Sequence, residues 1–166
     1  MKILVDADSC PPKTREIIIN CANRLHIAAI FAANRPIPGI KGRGISMEVC
    51  EAAEGAADQR IVDLAETGDL VVSRDIPLAQ KLVAGGISVI NDRGREYTNE
   101  NIREMLSLRN FAIGLSDNGL GAERIASYGK KEIKKFADSL DRIITRLKNR
   151  PASQPIDARG TDSASV

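Results

Sequence analysis

Short apolar runs alternate with stretches of helical period along most of this chain, and that alternation restricts its fold more than any other feature. Runs of strand length lie at residues 2–5, 27–33, 69–73 and 87–90, and Ile45, Met47 and Val49 alternate with polar neighbours in a fifth. Helical patterns are predicted over 11–25, 56–67, 76–84, 98–109 and 130–148. Strands joined through helices pair in parallel by right-handed crossovers, with helices on both faces. The fold class is therefore α/β, three layers with a central, mostly parallel sheet. Ligands of such sheets bind at the carboxyl ends of the strands.

Punctuation residues set the boundaries. Pro11 and Pro12 suit a first helical turn, where no backbone hydrogen bond is lost, and Asp8 or Ser9 is the expected cap. Asn34-Arg35-Pro36 ends the second run, and the Gly-, Pro- and base-rich segment up to Gly44 reads as a loop. Gly85-Gly86 breaks the third helix, Thr98 can cap the fourth, and 117–121 forms a turn-rich break. In the last helix Ile133, Phe136, Ala137, Leu140, Ile144 and Leu147 make one apolar stripe. With 166 residues, the expectation is one domain over 1–149 and a disordered tail over 150–166, which lacks periodicity.

Composition excludes several functions. Lys and Arg number 24 against 22 Asp and Glu, a net charge of +2, which does not suit a protein that coats DNA by bulk charge. Aromatic residues are only 3%, so few rings serve base stacking. The absence of a long apolar run or an amino-terminal leader pattern predicts no membrane association and no signal peptide. Cys10, Cys21 and Cys50 have no Cys-x-x-Cys spacing, and His26 is the one histidine, which leaves little for zinc. The expected location is the reducing cytoplasm.

Carboxylates carry the chemistry. Asp6 and Asp8 stand two apart where the first strand ends, so extended geometry would aim both to one side. A capping role for Asp8 and loop hydrogen bonds for Asp6 explain them equally well. Asp58 lies within about 60° of Ile61, Val62 and Ala65 on its helix, facing the core, while Gln59, Arg60, Asp63 and Glu66 face solvent. A charge so placed needs a partner or an ion, although a carboxylate near a helix start also suits the dipole. Asp75, just past the strand at 69–73, reaches the same rim as Asp6 or caps the next helix. Three segments thus bring acids to one edge, and an oxygen-rich site favours Mg²⁺ or Mn²⁺.

The segments VDADSCP, AANR (32–35), AADQRIVDLAETGDLVVSRDIPLA (56–79) and NDRGREYTNENIREML (91–106) resemble the YaiI/YqxD family of bacterial proteins, over about residues 1–148. That family in turn resembles the PIN-like nucleases. The resemblance implies a PIN-like fold in which an Asp ends the first strand, a helix begins Asp-x-x-Ile and a strand ends Thr-x-Asp. Asp6, Asp58-Gln59-Arg60-Ile61 and Ser73-Arg74-Asp75 stand at those places. It implies that Asp6, Asp58 and Asp75 are catalytic and, with Asp8, bind metal in a ribonuclease-like site. Ser73 replaces the usual Thr. The middle acid of PIN domains has no clear counterpart, and Asp8 is the first candidate, ahead of Glu48 and Glu51.

For the nucleic acid itself, RNA being the expected partner, Asn34, Arg35, Ser73, Arg74 and Lys13 are the candidate substrate contacts, with Lys41 and Arg43 in the same loop as Arg35. A solvated charged loop is the competing reading of these bases. Two other functions compete. A haloacid dehalogenase-like phosphotransferase would use Asp6 as nucleophile and Asp8 as acid, but the spacing after Gly68-Asp69 meets Ser73 where that class needs an acid. A non-catalytic RNA-binding or interaction module would keep the fold without full metal affinity.

Overall fold

A computed structural model describes residues 1–117 and 128–151. The expected break at 117–121 beyond Asp117, and the tail from 152 onward, lie outside these residues. Lys2–Asp6 forms β1, followed by helix α1 (Pro12–Leu25), β2 (Ala28–Ala33), β3 (Ile45–Val49), α2 (Ala56–Leu64) and β4 (Leu70–Val72). Then come α3 (Ile76–Ala84), β5 (Ser88–Ile90), β6 (Glu96–Tyr97), α4 (Ile102–Asp117) and α5 (Lys130–Lys148). The six strands order as β3-β2-β1-β4-β5-β6 in one sheet. All pair in parallel except β6, which runs antiparallel to β5.

β1 is the centre of the sheet, and its alternating side chains divide the core in two. Ile3 and Val5 join Phe31 and Val72 in one cluster with Ile18 of α1 and Phe136, Leu140 and Ile144 of α5. Leu4 faces the other way, with Ala32 and Val71, onto Ala57 and Ile61 of α2 and Leu78 and Leu82 of α3. Every apolar side chain of a central parallel strand is buried on one side or the other, which is why β1 and β4 read as continuous apolar runs. The result is the three-layer α/β arrangement that the alternation predicts.

The α5 stripe is buried where expected, at Phe136, Leu140 and Ile144, and Ile143 joins it. β3 is an edge strand whose Ile45 and Met47 are half-buried while Val49 stays 55% exposed, so its inward face is covered only in part. α2 stops at Leu64, three residues earlier than predicted, because Ala65 turns to extended backbone. α4 begins at Ile102, after a turn in which the Thr98 hydroxyl accepts from the Asn101 N–H, and runs on to Asp117. α1 has no side-chain cap: its N-cap is Pro11, and the expected capping by Asp8 or Ser9 gives way to other hydrogen bonds made by both residues. His26 closes α1 in the left-handed conformation, φ 54°.

Candidate functional site

The carboxyl edge of the sheet gathers the chain's most constrained acids. Asp6, the last residue of β1, shares the α2–α3 side of the sheet with Leu4 by strand period and is only 6% exposed. One of its oxygens, Oδ2, accepts from Ser9 Oγ at 2.7 Å and from Ser73 Oγ at 3.0 Å. These two hydroxyls fix the carboxylate from both neighbouring segments. Ser73 Oγ also accepts from the Asp75 backbone N–H at 2.9 Å, so one hydroxyl ties the end of β4 to the end of β1. Hydroxyl donors lessen the cost of burying the Asp6 carboxylate without neutralising it.

Beyond Asp6 the extended backbone gives way to a turn, so Asp8 does not share the direction of Asp6 by strand period. It nevertheless reaches the same cleft, where Asp8 Oδ2 accepts from the Asn34 backbone N–H at 2.7 Å. Arg35 stands beside it, Nε to Oδ1 3.9 Å, on a side chain that is 80% exposed. The β1–α1 turn and the end of β2 are thereby held together through a carboxylate.

Asp58 occupies the first turn of α2, after Gly55, whose φ of 77° starts the helix from a left-handed residue. It is half-buried beside Ala57, short of the core position the periodicity suggests, and points along the cleft wall. Burial, then the nearby carboxylates of Asp75 and Asp6, push its pKa from 3.8 up to about 6, opposed by Lys81, with Asp8 adding a smaller upward push. Among the described residues no Lys or Arg forms an ion pair with Asp6, Asp58 or Asp75.

A cleft of about 270 Å³ opens between these residues, lined by Asp6, Asp8, Ser9, Asn34, Gly55, Ala57 and Asp58. Asp75 lies next to it without lining it, and its Oδ1 caps α3 by accepting from the Leu78 N–H at 2.8 Å. The capping role and the electrostatic one are thus both filled by the same side chain. Among the described residues no three His, Cys, Asp or Glu side chains stand close enough together to hold a metal ion. The donors fit a different kind of site: Mg²⁺ keeps several waters and is commonly held by one or two carboxylates plus substrate oxygens. Asp6, Asp8 and Asp58 offer hard oxygen donors in an open cleft, which suits a hydrated ion.

The other predicted contacts fall in different places. Asn34 lines the cleft, and Ser73 lies behind Asp6. Lys13 pairs with Glu16 one turn along on the outer face of α1. Arg74 turns to Asp92, 2.5 Å away. Of the candidates for the middle acid, Glu48 is paired with Arg60 at 3.0 Å, and Glu51 is exposed outside the cleft lining. Asp69 sits at the opposite, amino edge of the sheet, bound to Lys2 at 2.6 Å.

Sequence reasoning gave Ser9 only a capping role and passed over Asp92. Asp92, two residues past β5 and 2% exposed, is a second buried acid of the same rim, and the rule that located Asp75 beyond β4 locates it too. Its backbone carbonyl accepts from Tyr128, whose hydroxyl also pairs with Thr14, so the start of α5 is tied to the carboxyl edge through this residue. Cys10 is packed beside it, its thiol pushed up to about 12 by burial, which leaves it a structural thiol.

Sheet and cleft together define an α/β protein with an acid-lined candidate site at the carboxyl edge of a parallel sheet. Comparison with known proteins narrows that class. The chain belongs to the YaiI/YqxD family: the family model described as "Uncharacterized BCR, YaiI/YqxD family" matches residues 4–146. A "UPF0178 protein" of Treponema denticola is 51% identical over 151 residues, covering 90% of this chain and 96% of the relative. Its namesake in Treponema pallidum is 48% identical over 147 residues, 89% of this chain and 83% of the relative. The Syntrophobacter fumaroxidans relative is 43% identical, over 88% of this chain and 95% of its own length. No solved structure matches the chain. Among the described residues no helix is long and apolar enough to cross a membrane.

Proposed function

We propose that this protein is a metal-dependent nuclease that hydrolyses phosphodiester bonds in RNA, with a hydrated Mg²⁺ or Mn²⁺ held by Asp6 and Asp58 and with Asp8 facing the same cleft. The observation that carries this reading is the meeting of acids from β1, its following turn and α2 around an open cleft, with Asp75 adjacent and no ion-paired base on Asp6, Asp58 or Asp75. Burial and the carboxylates of Asp75 and Asp6 raise the pKa of Asp58, and a divalent cation relieves that repulsion. When bound, such an ion activates water and offsets charge on the phosphate.

Each residue then has a distinct task. Ser9 and Ser73 hold the Asp6 carboxylate in one orientation, leaving Oδ1 for the ion. Asp58 supplies a second donor that gives up its proton near neutral pH, where the ion competes for it. Asp75 fixes the start of α3 and adds negative potential beside the cleft. Asn34 stands at the mouth, where a phosphate would enter.

Mn²⁺-dependent cleavage of mixed-sequence RNA and of single-stranded DNA tests this, with Asp6→Asn and Asp75→Asn as comparisons. The expected result is RNA cleavage that falls at least about 10- to 100-fold in both variants. Unchanged activity in both rejects the mechanism. The lack of a three-acid cluster among the described residues favours one other reading, an RNA-binding module without turnover, which salt-sensitive RNA binding with no cleavage would establish. The phosphotransferase reading has less support, because Asp69 lies across the sheet from Asp6.

A further inference from the structure

The acidic cleft does not end at Asp8. Asp8 also lines a second hollow of about 310 Å³, between the α1 start and the β2–β3 loop, whose other walls include Arg15, Arg35, Pro36 and Pro38. Arg15 and Pro38 in turn line a third hollow, of about 240 Å³, that continues along α1 to Ile19, Asn20 and Ile40. Three hollows that share lining residues thus follow one another from the acidic cleft along the start of α1, with Arg35 and Arg15 beyond the acidic end.

Charge along this groove is mixed: Arg15 and Arg35 line it, Asp8 stands 3.9 Å from Arg35, and Glu16, ion-paired with Lys13, lines the third hollow. Arg15 is half-buried, and Nη1 of its guanidinium donates to the Cys10 carbonyl at 2.5 Å. Among the described residues no carboxylate forms an ion pair with it, and its remaining donors are available to a ligand. The loop at 34–44 carries Arg35, Lys41 and Arg43 and no acid. It is also well anchored: Ile37 and Ile40 pack on the core, the Ile37 N–H meets Met47 Sδ at 3.4 Å, and a Cβ on Gly42 would stand 2.9 Å from Ile45. A held basic loop facing a half-buried arginine that makes no ion pair offers an anion two preset positions, Glu16 being engaged by Lys13 and the long Arg35–Asp8 contact leaving most of that exposed guanidinium open.

Resting on the nuclease reading for the chemistry at Asp6, we propose that this groove binds a single-stranded polynucleotide as it leaves the acidic cleft. One phosphate lies on Arg35 and a following one on Arg15, with sugar or base against Pro36, Pro38 and Ile40. Hollows of this size, at the lower end for small-ligand sites, take a flexible strand one nucleotide at a time and exclude a rigid duplex. Prolines and isoleucines provide the apolar wall in a chain with few aromatic rings. Arginine suits the anion because its planar fork can pair with phosphate oxygens.

Fluorescence anisotropy of labelled oligouridylate and oligothymidylate with the full chain, titrated with salt in EDTA, tests the track without turnover. Arg15→Gln and Arg35→Gln are each expected to weaken binding about 5- to 10-fold and to reduce the slope of log K against log salt by about 0.7. Arg142→Gln, on the exposed face of α5, leaves both unchanged. Arg15→Lys, which keeps the charge, gives a smaller loss, and Arg35, 80% exposed with one long ion pair to Asp8, supplies a variant with little to lose in folding. Unlabelled duplex of equal length is expected to compete poorly. Affinity and slope unaltered in both Gln variants, or duplex competing as well as single strand, overturns the proposal. A protein that binds through these arginines yet never cleaves with Mn²⁺ keeps the track and loses the nuclease reading. Mn²⁺-dependent cleavage with RNA affinity indifferent to Arg15 and Arg35 does the reverse.

Discussion

Replacing Asp58 by Asn removes a charge that the fold tolerates poorly while keeping the shape of the side chain. The neighbours that set its state are Asp6 on β1, Asp8 in the following turn, Asp75 at the start of α3, and Lys81 farther along α3. Its pKa is raised from 3.8 to about 6, so between those values the folded protein binds more protons than the unfolded chain. The associated stability is full below about pH 4 and is lost as pH rises through about 6. Taken at face value the shift corresponds to about 3 kcal/mol at 1.36 kcal/mol per pK unit. Solvent screening of this half-exposed carboxylate reduces it to about 1 kcal/mol.

In metal-free buffer at about pH 8, Asp58→Asn should therefore raise the melting temperature by roughly 2–4 °C, and at about pH 4 the two proteins should melt together. Mn²⁺ at 100 times its dissociation constant should stabilise the native protein by about 2.7 kcal/mol and the variant far less. Differential scanning calorimetry at both pH values, with and without Mn²⁺, reads all four states. A variant that melts below the native protein at about pH 8, or one that gains equally from Mn²⁺, refutes the reasoning.

Three further outcomes are expected. Ser73→Ala removes a buried donor to Asp6 and an acceptor for the Asp75 N–H; it should cost about 1–3 kcal/mol in urea unfolding and lower Mn²⁺ affinity more than Ser73→Thr, which keeps the hydroxyl. Gly94→Ala should destabilise by about 2 kcal/mol or more, measured by urea midpoint, because Gly94 has φ 82° and its Cβ would sit 2.6 Å from the Lys135 carbonyl oxygen. Arg74→Ala should cost more than Asp92→Ala in the same assay: the first strands a carboxylate only 3% exposed, the second an arginine 46% exposed that can turn to water.

Glycine and proline made much of the layout legible. Pro12, Pro77 and the Gly85-Gly86 pair bound α1 and α3 at or near their predicted ends, because these residues act through local backbone geometry that needs no tertiary partner. The two residues of β6 have no period to detect, and their strand exists only because β5 lies alongside. Early termination of α2 at Leu64 likewise reflects the descent of the chain toward Asp69, whose side chain receives the Glu66 N–H and Lys2.

At the site, position along a strand located Asp6 and Asp75 at one rim, and helical period placed Asp58 on the inward side of α2. What period cannot supply is the choice of partner in three dimensions. Asp8, free to cap the helix that follows it, instead takes an N–H from Asn34, 26 residues away. Arg74, between Ser73 and Asp75 in sequence, is turned away by Asp92, two residues past the next strand. Arg15 looks like any helix-surface arginine until the β2–β3 loop closes over it. Long-range pairings of this kind decide which charges remain available to a ligand.

The most direct test is anomalous diffraction from crystals grown with Mn²⁺, native protein beside Asp6→Asn. A single strong peak in contact with Asp6 and Asp58, lost in the variant, is the predicted result. A map with no peak in that cleft contradicts a cation site there, and a peak that persists after the Asp6 carboxylate is removed contradicts Asp6 as its ligand.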